Sequence, residues 1–229
     1  MKILLLFLSL FFFFSSFKTL KVNDLDFRFA ENYCKEIEKE AKIISKKYDL
    51  KTSEIIPVIF PECSRFSSLS NIFETSILEY FYVENGAQSK NGADYSIGYF
   101  QMKPSFIEHL EKIIQKDDLF AKKKSFFAYK SKVSKEIRNE RLNRLKNQTW
   151  QLEYLCCFVK HMKNRFIEEK IESDELSFIA SAYNYGFHKS SKEIIEWQEV
   201  KAFPNGIKNK AENFSYAELA KHYHDKTYN

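Results

Sequence analysis

The chain has 229 residues, of which 44% are hydrophobic, 17% aromatic and 29% charged, with a formal net charge of +5. That apolar and aromatic content excludes a disordered chain, and the length suits one ordinary domain with a sizeable core. Only 5 Gly and 4 Pro occur, too few for the frequent turns of a sandwich or barrel, so the composition points to a mainly α fold.

Met1–Lys2 and the apolar run from Ile3 to Phe14 precede Ser15–Ser16 and a polar stretch from Lys18. The run is too short to span a bilayer and has the layout of a secretory signal peptide over residues 1–20, with an uncleaved membrane anchor as the alternative. Losing Lys2 and Lys18 with it would leave residues 21–229 at a net +3. The protein is therefore expected to be exported, to the periplasm or cell envelope, and to meet a membrane only through this leader. Cys34, Cys63 and the neighbours Cys156 and Cys157 leave two disulfides, one or none open. No cysteine stands at a metal-ligand spacing, and the single H-x-H, His222 and His224, reads as a solvated tail, so neither metal nor cofactor is expected.

Phe29, Tyr33, Ile37, Ala41 and Ile44 recur at three- and four-residue steps and predict an amphipathic helix over Asp26 to Tyr48, ending near Asp49. Thr52 or Ser53 then caps a second run, apolar almost all round, through Ile55, Ile56, Val58, Ile59 and Phe60. Such a helix belongs in the middle of a domain, and its end delivers Glu62 to a cleft. Pro57 and Pro61 predict a kink or an early end. A further amphipathic helix is predicted over Asn71 to Val83, stopping at Asn85–Gly86, and a polar loop follows from Ala87 to Asp94.

The stretch from Tyr95 to Phe106 is dense in apolar and aromatic residues and contains one amide, Gln101, which needs a partner if buried. A helix follows over Ser105 to Ile114. Residues 111–147 carry 12 Lys or Arg against 5 Asp or Glu, which predicts an exposed basic helical hairpin or lobe. A buried helix returns over Trp150 to Ile167. Another begins after Ser173–Asp174 and runs to Tyr183, with Gly186 placed to end it. A helix near Ser190 to Trp197, a turn at Phe203-Pro204-Asn205-Gly206 and a helix from Ser215 to Tyr223 complete the chain. No repeat and no interdomain linker is visible, so residues 21–229 read as one domain.

Three segments in this order, Glu62-Cys63-Ser64-Arg65-Phe66, Gly98-Tyr99-Phe100-Gln101-Met102-Lys103-Pro104 and Ala182-Tyr183-Asn184-Tyr185-Gly186, resemble the soluble-type lytic transglycosylases, a goose-lysozyme-like family that cleaves peptidoglycan. The resemblance covers about residues 50–190, with the basic segment inserted between the second and third motifs. It implies a lysozyme-like helical domain with a glycan-binding groove. It also implies cleavage of the β-1,4 bond between N-acetylmuramic acid and N-acetylglucosamine, ending in a 1,6-anhydro ring. One Glu would serve as acid and then as base, so a second carboxylate is not needed, unlike the usual glycosidase pair.

By this resemblance the catalytic residue is Glu62, with Glu84 as runner-up. Glu84 stands at a separation from Gln101 close to the family's spacing, whereas Glu62 follows the apolar helix and precedes Ser64 and Phe66, which match the family's Ser and Phe. Ser64, Gly98, Tyr99, Phe100, Gln101 and Met102 would bind the substrate, with Gln101 and its flanking backbone on the groove floor and Gln101 on the sugar's acetamido group. Tyr183 would sit beside the catalytic carboxyl and orient or polarise it, and Asn184 would contact the saccharide or hold its loop. Tyr95, Tyr99 and Tyr185 offer faces for sugar stacking. The expected partner is the peptidoglycan glycan strand, not nucleic acid. Two other functions suit the same scaffold: a muramidase that uses water, and a catalytically silent glycan-binding protein.

Overall fold

In the computed structural model, which describes residues 26–66, 75–208 and 213–229, the chain is mainly helical. The leader expected at residues 1–20 lies outside the described residues. Helix α1 (Phe27–Lys46) starts where the Asp26 carboxylate accepts from the Phe29 N–H at 2.8 Å, and it buries Ala30, Tyr33, Cys34, Ile37, Ala41 and Ile44. Phe29 is not on this stripe: the shorter Ala30 takes the core position, and the Phe29 ring lies at the rim, stacked with Tyr33 and Phe66.

Helix α2 (Thr52–Arg65) is buried on every side from Ile55 to Ser64, enclosed by α1 and by three later helices. Thr52 is already helical and Ser53 makes no cap. The Glu54 carboxylate instead reaches back to the Lys51 N–H at 2.6 Å. The helix continues through Pro57 and Pro61 to Arg65, against the early end predicted from those residues. Each proline costs about 3 kcal/mol in a helix interior. Five fully buried apolar side chains, Ile55, Ile56, Val58, Ile59 and Phe60, contribute about 1.5–3 kcal/mol each and outweigh that cost.

Of the helix predicted from Asn71, the first residues lie outside those described. The described part, α3, spans 75–85 with a π turn at Leu78–Tyr82 and a last turn at Val83–Asn85, and it ends at Gly86 with φ +86°. Helix α4 (Pro104–Lys116) opens with proline in its first turn, where the missing N–H costs nothing. A 3-10 turn at Asp118–Phe120, α5 (Lys124–Phe127) and α6 (Ser134–Lys146) follow.

These last elements are not a lobe standing clear of the core. Phe120, Phe127, Leu142 and Leu145 are buried, and so are Arg141 and Arg144. Arg141 donates to the Glu111 carboxylate at 2.8 Å and to the Tyr82 hydroxyl at 2.6 Å, and Tyr154 donates to Glu111 at 2.6 Å. Two of the basic residues that suggested a solvated surface are thus consumed inside the protein.

Helix α7 (Gln148–Glu168) is capped by Asn147, whose side chain accepts from the Trp150 N–H at 3.1 Å. Helix α8 (Glu175–Tyr185) is capped by Asp174 and ends at Gly186, and α9 (Ser191–Trp197) starts in a Ser190–Glu193 capping box. The turn predicted at Phe203–Gly206 belongs to a two-stranded antiparallel ribbon, β1 (Lys201–Phe203) and β2 (Phe214–Ser215). Helix α10 (Tyr216–Tyr228) closes the fold against α2, where the Tyr216 hydroxyl donates to the Val58 carbonyl at 2.9 Å. All four cysteines are buried free thiols. His222 and His224 lie on α10, two residues apart and so on different faces. No helix among the described residues is long and apolar enough to cross a membrane.

Candidate active site

A cleft of about 510 Å³ opens where the end of α2 meets the Ile97–Met102 hairpin, the start of α4 and the end of α8. Glu62 reaches it from the last turn of α2 and is only 7% exposed. One of its oxygens, Oε2, is buried without a hydrogen bond. Arg65 Nε lies 3.2 Å from that oxygen, close enough for charge attraction but not aligned as a donor. Burial pushes the Glu62 carboxyl above its ordinary pKa, while Arg65 and then Lys103 pull the other way and lose to the burial. The Arg65 guanidinium is backed by the Phe203 ring of β1, 5.6 Å from its centroid, so the ribbon places this cation.

The hairpin that carries Gln101 is closed by paired Ile97 and Met102 backbone bonds of 3.0 and 3.3 Å. Its four-residue loop needs two left-handed residues, Gly98 at φ +70° and Gln101 at φ +52°. Gln101 stabilises its own unusual conformation, because its side-chain Nε2 donates to the Gly98 carbonyl at 2.8 Å. Gly98 has a second reason to be glycine: a Cβ there would stand 2.2 Å from Gln151 Nε2. Gln151, buried in α7, donates to the Ile97 carbonyl at 3.2 Å and supports the hairpin from behind.

On the opposite wall, Tyr183 is buried and its hydroxyl donates to the Phe100 carbonyl at 2.6 Å. Burial and then the nearby Glu62 carboxyl raise the Tyr183 pKa, so the phenol stays protonated as that donor. Tyr183 thus neighbours Glu62, as the motif implied, but its proton is committed to the hairpin backbone. The Asn184 side chain accepts from Trp197 Nε1 at 3.0 Å, and Tyr185 stacks on Trp197 with centroids 4.2 Å apart. Asn184 therefore holds its loop.

The cleft brings together Glu62, Gln101, Met102, Tyr183 and Asn184, with Tyr185 beside them. Ser64, Gly98, Tyr99 and Phe100 are not in its wall. Ser64 is buried and donates to the Pro61 carbonyl of its own helix at 2.6 Å. Tyr99 packs against Tyr33 and Phe66, and Phe100 is fully buried. Glu84 is away from the cleft, about half exposed, and pairs with Lys135 at 2.5 Å, while Arg138 holds the Val83 and Glu84 carbonyls at 2.8 Å each.

Several cleft residues escaped the sequence reading. Asp94 caps α4 across the loop, accepting from the Ser105 N–H at 2.8 Å and the Ser105 hydroxyl at 2.6 Å. The separation of 11 residues falls outside any local capping pattern. Lys103, His109 and His188 also line the cleft, and only the fold brings them together.

The arrangement presents one protonatable carboxyl in a poorly solvated position, with a second carboxylate, Asp94, engaged in a helix cap. Such a carboxyl can deliver a proton to a bound group and take one back. No protein-family model, curated protein or solved structure matches the chain.

Proposed function

We propose that the protein is a peptidoglycan lytic transglycosylase of the cell envelope, a lysozyme-like helical domain whose cleft takes the glycan strand. The observation that carries this reading is Glu62: a nearly buried carboxyl in the last turn of the central helix, lining the cleft and held above its ordinary pKa by burial. Protonated Glu62 gives its proton to the glycosidic oxygen as the bond from the muramic acid C1 breaks. The resulting carboxylate then takes the proton of the same sugar's 6-hydroxyl, whose oxygen closes on C1 to form the anhydro ring. The carboxyl ends protonated, as it began, and no water is consumed. The engagement of Asp94 with Ser105 supports a route without a second carboxylate.

Gln101 and Met102 form the cleft floor in this reading, and Gln101 Oε1, which makes no hydrogen bond among the described residues, is an acceptor for the acetamido N–H. The test is mass spectrometry of the soluble products released from purified peptidoglycan by the protein and by its Glu62→Gln and Glu84→Gln variants. Anhydro-muropeptides lost only with Glu62→Gln are the expected result. Reducing-end products would replace this reading with a hydrolytic muramidase. Binding to peptidoglycan without any product would replace it with a silent glycan-binding protein.

A further inference from the structure

We propose that His109 and His188 form a subsite, in the same cleft as Glu62, for a carboxylate on the peptide carried by the glycan strand. This rests on the transglycosylase reading above and adds to it a substrate class: strands that still bear their stem peptides.

The two imidazoles come from separate elements, His109 from α4 and His188 from the turn after α8, and both line the cleft. Their rings lie 5.9 Å apart at 30°, and neither makes a hydrogen bond among the described residues. Two bonds of about 2.8 Å from one carboxylate can bridge such a gap. His109 lies four residues beyond Ser105, on the order of 6 Å further along the α4 axis.

Both rings are firmly backed. His109 packs edge-on against the buried Phe187, with centroids 4.8 Å apart. His188 lies over Gly186, where a Cβ would come within 2.8 Å of its Cε1 and where φ is +125°. Glycine at this position therefore both ends α8 and makes room for the imidazole.

The electrostatics favour an anion. Arg65 and Lys103 share the cleft with the pair, Glu62 is held towards its neutral form, and the Asp94 charge is spent on Ser105. Burial, then His188, then Lys112 hold the His109 pKa below its ordinary value. An entering carboxylate would reverse that penalty and gain charge-assisted hydrogen bonds. No group of three ligating side chains that could hold a metal occurs among the described residues.

The test compares kcat/KM on stem-bearing glycan strands with that on the same strands stripped of peptide by an amidase. The protein should favour stem-bearing strands by about tenfold, the worth of one charge-assisted bond, and His109→Ala/His188→Ala should bring the ratio close to one. A ratio already near one, or unchanged in the variant, overturns the subsite while leaving the transglycosylase reading intact. No cleavage of either strand by the unsubstituted protein overturns both. A second measurement does not depend on how the variant folds. N-acetylmuramyl-L-alanyl-D-glutamate should raise the pKa of the His109 imidazole and perturb the ring resonances of His188 by NMR, and an N-acetylglucosamine oligomer should do neither. Equal responses to the two ligands also overturn the subsite.

Discussion

The Tyr183 hydroxyl donates to the Phe100 carbonyl at 2.6 Å, joining the end of α8 to the hairpin that carries Gln101. That bond commits the Tyr183 proton to the hairpin backbone. Tyr183→Phe should therefore cost about 1–3 kcal/mol in chemical denaturation, because a buried carbonyl loses its donor. It should lower kcat while leaving the pH at which activity falls unchanged. A displaced pH profile would show direct coupling to Glu62.

Glu62 should trade stability for chemistry. Its folded pKa lies above the unfolded value, so the stability it contributes is full below the unfolded pKa and is lost as pH rises through the folded one. Glu62→Gln removes that loss. At neutral pH the variant should be more stable by about 1 kcal/mol, roughly 2–4 °C in Tm, with the gain vanishing in acid. Its activity should fall about 10²–10⁴-fold. In the unsubstituted protein, the rate should decline on the alkaline side as Glu62 ionises. Thermal melts at several pH values and a pH–rate profile check both halves.

Gly98→Ala should be damaging for two reasons, a left-handed backbone and a clash with Gln151. We expect a loss of about 1–3 kcal/mol and weaker turnover, since the hairpin carrying Gln101 must shift. Gln151→Ala relieves the clash but not the backbone strain. The double variant should therefore be more stable than the sum of the two losses predicts, which a double-mutant cycle measures directly.

A buried cation of the basic segment, Arg141, can be told apart from its surface charges. Arg141→Ala leaves the Glu111 carboxylate buried without its cation and should cost about 3–5 kcal/mol. Glu84→Gln, which breaks only an exposed pair with Lys135, should change stability by less than about 1 kcal/mol. Urea denaturation of the two variants gives the comparison.

What could be read from the sequence was what depends on local period and capping. The apolar period of α1, the all-round burial of α2 and the stop at Gly186 were all visible because neighbours along the chain produce them. The placement of Glu62 in a cleft with Gln101, Met102, Tyr183 and Asn184 agrees with the order of the three motifs. What escaped depends on distant partners. Arg141 and Arg144 count as two more positive charges until Glu111, Tyr82 and the Phe127 carbonyl surround them. The same holds for the Asp94–Ser105 cap, for Gln151 behind Gly98 and for the ring of Phe203 behind Arg65. Ser64 shows the opposite error. Its position after Glu62 suggested a ligand contact, but one turn of helix geometry aims its hydroxyl at the Pro61 carbonyl.

The enclosure of α2 also ties Glu62 to a distant part of the sequence. Its walls include α10, whose Tyr216 hydroxyl reaches the Val58 carbonyl across 158 positions of sequence and is pushed up in pKa by burial and then by the nearby Glu62 carboxyl. Without α10 docked, α2 lacks one of its walls, and Glu62 lacks part of the burial that raises its pKa. The low-dielectric setting that favours its neutral form is completed only when α10 packs. A partly folded chain would carry the Glu62 segment without the burial that shifts its carboxyl.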